Sequence, residues 1–128
     1  MLKKRYTIEE VNNLLPNVEK RVKKIVSLRR KVKNLSKVYV DGCSDELFDV
    51  DLLKLELEEI YGKLTDEVQK FDCMGVIVKD FDKGIVDFIS RFEGRDVLLC
   101  WMLGEDKIKY WCEFGESFTE RKPIIYIN

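Results

Sequence analysis

The apolar positions change their period at Gly75, and that switch constrains the fold more than any motif does. Upstream they recur at helical spacing. Val11, Val18, Ile25 and Val32 repeat every seven residues, flanked by Leu14, Leu15, Val22, Leu28 and Leu35. Leu53, Leu57, Ile60, Leu64, Val68 and Phe71 then form one face of a second helix. Downstream, residues 76–78, 85–89, 97–103 and 108–114 are short β-branched or aromatic runs, separated by Asp- and Gly-rich breaks. A chain of 128 residues fits one domain with a modest core. The predicted fold class is α+β within a single domain, 1–128. A long antiparallel helical hairpin (1–74) packs on a small antiparallel β-meander of three to four strands (75–128). Residues 123–127 could add an edge strand.

Local signals set the boundaries. Thr7-Ile8-Glu9-Glu10 is a capping box, so a helix starts at Ile8. Pro16 lacks an amide hydrogen and crowds the preceding turn, which predicts a short helix over 8–14, a break, and a long helix over 16–38. Residues 39–44 read as a turn, with Ser44 capping the next helix and Asp45 and Glu46 in its first turn. Gly75 is a natural stop.

Charge is distributed unevenly. Residues 1–40 hold 12 Lys/Arg and 3 Asp/Glu, residues 41–74 hold 3 and 11, and residues 75–128 hold 8 and 10. The basic first arm could meet phosphates, but the acidic second arm alongside would cancel its field, within the chain or across a dimer. No glycine-rich or aromatic-interleaved basic patch accompanies it, so nucleic acid is not an expected partner. No run approaches the roughly 18 apolar residues of a membrane span, and no apolar stretch follows the basic N-terminus. The expectation is a cytoplasmic protein away from the membrane.

The chain has no histidine, which removes the commonest general base and metal ligand. Its four cysteines, Cys43, Cys73, Cys100 and Cys112, form no C-x-x-C pair and default to free thiols. Asp80-x-Asp82-x-Gly84 looks like the start of a calcium loop, but the twelfth position is Arg91, so turn aspartates bonded to their own backbone are expected. Along the third and fourth runs, matching apolar faces sets Cys112 with the Trp101 face and Cys100 with the Trp111 face. Opposed thiols are expected to be inert, with no bridge between them. The tryptophans read as packing, while Glu105, Glu113 and Glu116 with Arg91, Arg95 and Arg121 could build a polar cleft. No metal or other cofactor is expected.

The chain also resembles an uncharacterised prokaryotic family, domain-of-unknown-function family 2203. The match opens at Tyr6-Thr7-Ile8-Glu9-Glu10-Val11-Asn12-Asn13-Leu14-Leu15-Pro16. It resumes at Gly75-Val76, Lys79-Asp80, Gly84-Ile85-Val86-Asp87-Phe88, Gly94-Arg95 and Val97, is sharpest in Leu99-Cys100-Trp101-Met102-Leu103-Gly104-Glu105 and Tyr110-Trp111-Cys112-Glu113, and ends at Arg121-Lys122-Pro123-Ile124. Members often carry arginine at the position of Met102 and histidine at that of Cys112. If that histidine were a ligand or base, Cys112 would be a softer substitute. The resemblance implies the fold and supplies no activity.

No constellation fixes a reaction, so whether the chain is an enzyme stays open. The surplus apolar surface of two long helices predicts a non-enzymatic interaction or scaffold module, a homo-oligomer self-associating through its hairpin, with room for an unknown protein partner. The alternative is a small-ligand or metal site on the sheet around Glu105 and Glu113, built from Cys100, Trp101, Glu105, Trp111, Cys112, Glu113 and Arg121.

Overall fold

The computed structural model describes residues 4–42 and 49–126. Helix α1 spans Ile8–Gly42 and helix α2 spans Val50–Cys73. The capping box forms as the sequence requires: the Glu10 N–H donates to Thr7 Oγ1 (3.1 Å) and the Thr7 N–H donates to Glu10 Oε1 (3.0 Å). The break expected at Pro16 does not occur, because α1 runs through it as one helix of 35 residues. An interior proline costs about 3 kcal/mol. Here Pro16 is exposed, while Val11, Leu15, Val18 and Val22 on both sides of it are buried, and their packing outweighs the lost bond. Residues 39–42 of the expected turn belong instead to α1, which extends to Gly42. The predicted cap Ser44 and its neighbours Asp45 and Glu46 lie outside the described residues. Among those described, Asp49 caps α2, its Oδ1 accepting from the Leu52 N–H at 3.0 Å.

A five-stranded antiparallel meander follows, with β1 Val76–Asp80, β2 Ile85–Phe92, β3 Arg95–Met102, β4 Tyr110–Cys112 and β5 Lys122–Pro123 paired in chain order. Alternation along the strands divides the sheet into two faces. Val76, Val86, Phe88, Leu99 and Trp101 pack against Val11, Val18, Val22, Ile25, Leu64 and Phe71 of the helices. Ile89, Leu98, Cys100 and Cys112 form a second buried cluster on the outer face, with Ile77 and Tyr110 against it. Two short 3₁₀ turns, Phe118–Glu120 and Ile124–Tyr126, complete the C-terminal segment.

The observed register corrects the expectation for the two thiols. Leu98 pairs with Cys112, Leu99 with Trp111 and Cys100 with Tyr110, so Cys100 and Cys112 share a face. Apolar matching assumed a strand over all of 108–114. Only three residues pair, so Lys109 and Glu113 escape the alternation that argued against this register. Ile108 reaches the helix-side core from outside the strand, its N–H donating to Asn12 Oδ1 at 2.8 Å.

The complementary arms meet at Glu67. Lys24 (3.0 Å), Arg21 (3.6 Å) and Lys70 (3.8 Å) converge on the buried Glu67 of α2. Arg29 and Lys33 instead reach Asp82 in the β1–β2 turn. Among the described residues, no helix is long and apolar enough to cross a membrane.

Candidate metal centre

Asp87 lies mid-strand between Val86 and Phe88. Because those two face the helices, strand geometry sends Asp87 to the outer face, where it is 1% exposed. Its cross-strand partner is Cys100, and the diagonal step to β4 brings in Cys112. The ligating atoms of Asp87, Cys100 and Cys112 all lie within 4.8 Å of one another, and both thiols are fully buried. The two Sγ atoms are 2.7 Å apart.

Lys79 enters from β1 at an irregularity between Val78 and Asp80, where the pairing skips it. Its Nζ lies 3.0 Å from Asp87 Oδ2, donates to the Glu116 carbonyl at 3.0 Å and sits 3.8 Å from Cys112 Sγ. Asp87 Oδ1, by contrast, is buried and accepts no hydrogen bond. Burial works against the charge on Lys79, yet the hydrogen bond and charge of Asp87 outweigh it and leave the ammonium's pKa raised. Burial, then the Asp87 carboxylate, pushes the Cys100 thiol far up. Burial also raises Cys112, against the pull of its bond to Cys100 and the charge of Lys79. Two protonated thiols with raised pKa make a poor nucleophile pair. A carboxylate beside two sulfurs is, however, a donor set for a thiophilic divalent ion.

The family model for the uncharacterized conserved protein DUF2203 matches residues 4–124. The chain belongs to the DUF2203 family. No curated protein and no solved structure matches it. In this DUF2203 protein the residues expected to form one site fall into separate groups. Cys100 and Cys112 come together on the outer face. Glu105 instead braces the β3–β4 connection: it accepts from the Met102 N–H (2.7 Å), and both its carboxylate oxygens take Arg121 Nη1 (3.1 Å). Arg121 in turn stacks at 3.9 Å on both Tyr110 and Phe118. Glu113 pairs with Arg95 (2.6 Å) in the open. Trp101 and Trp111 belong to the helix side: Trp101 Nε1 donates to the Glu105 carbonyl, and Trp111 packs near Phe92 beneath Lys122.

Sequence reasoning missed Asp87 and Lys79 as site members. The usable signal was a single carboxylate inside the apolar run Ile85-Val86-Asp87-Phe88-Ile89, where burial demands a partner. Asp80 does behave as a turn aspartate, its Oδ1 accepting from the Asp82 and Lys83 N–H groups at 2.8 Å each. Asp82 is taken by Lys33 and Arg29, so the calcium-like spacing is used up internally.

Proposed function

We propose that this protein binds a thiophilic divalent ion of the zinc class through Asp87, Cys100 and Cys112. The observation that carries this reading is the convergence of Asp87, Cys100 and Cys112, all buried, with their ligating atoms within 4.8 Å of one another. Exchanging two thiol protons for a divalent cation leaves the net charge of the pocket unchanged, with Lys79 still balancing Asp87. A tetrahedral zinc with Zn–S bonds of about 2.3 Å holds its sulfurs roughly 3.7 Å apart, so the thiols must part by ~1 Å to admit it. Three protein donors leave a fourth position for water or an exogenous ligand.

The test is titration of reduced protein with Zn(II) against a chromophoric chelator, with Co(II) as a spectroscopic probe. About one equivalent should bind, giving the thiolate charge-transfer and visible bands of a tetrahedral cobalt site. Asp87→Asn and Cys100→Ser should abolish this, while Cys73→Ser should not. Zinc binding that survives both substitutions, or none tighter than micromolar, would sink the reading.

A second reading is the interaction module, with a second copy of this chain as the partner. Val38, Tyr39, Val40, Leu52 and Leu55 are exposed around the far end of the hairpin. The basic α1 of one copy and the acidic α2 of another are complementary. Sedimentation across protein and salt concentration tests it. A strict monomer at high micromolar concentration removes it, as does a dimer unaffected by Val40→Lys with Leu55→Lys.

A further inference from the structure

We infer that Cys100 and Cys112 are a reversible redox pair, whose disulfide closes the outer-face site against a metal ion. The consequence for metal rests on the zinc-class reading; the pairing itself rests on geometry alone. Cross-strand register puts both thiols on one face, and their sulfurs already touch at 2.7 Å. They sit on the diagonal of the β3–β4 pair rather than directly opposite, so joining them asks for side-chain rotation together with a local approach of the two strands. The remaining described cysteine, Cys73, is exposed on α2 and cannot compete for either partner.

The oxidant is a hydroperoxide, and the chemistry balances in two steps. Local opening that admits water relieves the burial holding the thiols protonated; one of them then ionises and attacks hydrogen peroxide, and with its proton returned to the departing hydroxide the products are a sulfenic acid and one water. The second sulfur then attacks that sulfenic sulfur. The S–S bond forms, the S–O bond breaks, and the oxygen leaves as a second water carrying the second thiol's proton. The two sulfurs together lose two electrons and the peroxide gains them. A dithiol reductant reverses the reaction by exchange.

The buried pair is bordered by the segment over 113–121, whose Glu116 carbonyl takes the ammonium that lies beside Cys112. The segment's regular structure is limited to the Phe118–Glu120 turn, and the Glu116 carbonyl holds it to Lys79. Such a segment opens at lower free energy than the sheet it borders. Once the bridge forms, the site keeps only one of its three donors, Asp87, already paired with Lys79.

The experiment treats metal-free, full-length protein with hydrogen peroxide, alkylates the remaining thiols, and maps peptides with and without reductant. Zinc affinity is measured on the same samples. A Cys100–Cys112 peptide pair that reductant dissolves is the expected result. It should come with a fall in zinc affinity of at least about 100-fold, restored on reduction. Cys112→His keeps a zinc-ligating donor but removes the second sulfur, so it should bind zinc and lose the peroxide sensitivity. If Cys100 and Cys112 still alkylate after Cys73 has been oxidised, in protein that binds zinc, the inference is overturned and the metal reading stands. A reversible bridge in protein that never takes zinc supports the pair and removes the metal reading instead. A bridged protein that still binds zinc overturns the proposed control.

Discussion

The Lys79 ammonium lies 3.0 Å from Asp87 Oδ2 and leaves Oδ1 of the same carboxylate unbonded beside two thiols. The pair is asymmetric: Asp87 is almost fully buried, while a quarter of the Lys79 side chain meets solvent. Removing the lysine therefore strands a buried negative charge. Lys79→Met should cost about 3 kcal/mol in urea denaturation of the metal-free protein. Saturating zinc should narrow that deficit, because the stranded carboxylate then has the ion as a direct partner. A loss below about 1 kcal/mol would show that the carboxylate does not depend on its lysine.

Glu67 presents the converse. It is 5% exposed, but its partners Arg21, Lys24 and Lys70 are about half exposed and return to water when it is removed. Glu67→Leu should therefore change stability by no more than about 1 kcal/mol in either direction. Replacing Arg21, Lys24 and Lys70 together by alanine should cost several times more, because the carboxylate then stays buried without a cation. The two denaturation midpoints, compared at equal ionic strength, decide the order.

Acid should destabilise the fold through its tethered carboxylates. The backbone N–H of Thr7, then Lys4, holds Glu10 below its ordinary value; hydrogen bonds from Lys33 and Arg5 do the same for Asp82 and Asp96. A carboxyl whose folded pKa is depressed contributes stability above its unfolded pKa and loses it as pH falls through the folded one. The melting temperature should thus fall mainly below about pH 4. Glu10→Gln should lower the melting temperature at neutral pH and flatten its decline in acid. An unchanged slope would mean that the capping box contributes no pH dependence.

The helices were legible because their signals are local or repeat: a cap at Thr7, apolar residues every three or four, a stop at Gly75. Pro16 misled because its cost is local, whereas the burial of Val11, Leu15, Val18 and Val22 that overrides it is tertiary. The strands were legible as runs, since Val, Ile and aromatic residues cluster between turns. Their register was not. Pairing of β3 with β4 depends on where β4 stops, and the residues that free it, Lys109 and Glu113, are held by Asp106 and Arg95 outside the strand. The site followed the register. Cys100 and Cys112 were named from sequence but set on opposite faces, and Asp87 and Lys79 join them only through pairings across β1, β2 and β3. Glu105 and Arg121 stood out in sequence for a different reason: they clamp the connection between β3 and β4.

Gly75 and Gly94 offer a matched comparison of backbone strain and steric conflict. Both are left-handed, with φ of 79° and 78°. A β-carbon at Gly94 would meet nothing within 4 Å, whereas one at Gly75 would lie 2.6 Å from the Lys4 carbonyl oxygen. The left-handed conformation alone costs an alanine about 1 kcal/mol, which is the loss expected for Gly94→Ala. Gly75→Ala adds a clash with backbone. That backbone is fixed nearby, because the Tyr6 N–H donates to the Ile89 carbonyl (2.8 Å) and the Ile89 N–H to the Gly75 carbonyl (3.2 Å). Gly75→Ala should therefore cost about 3 kcal/mol in the same denaturation assay. It should also raise hydrogen exchange at the Tyr6 amide, while Gly94→Ala leaves that amide protected. Equal losses from the two substitutions would show that the segment carrying Lys4 yields freely, and that it does not anchor the junction of α2 with the sheet.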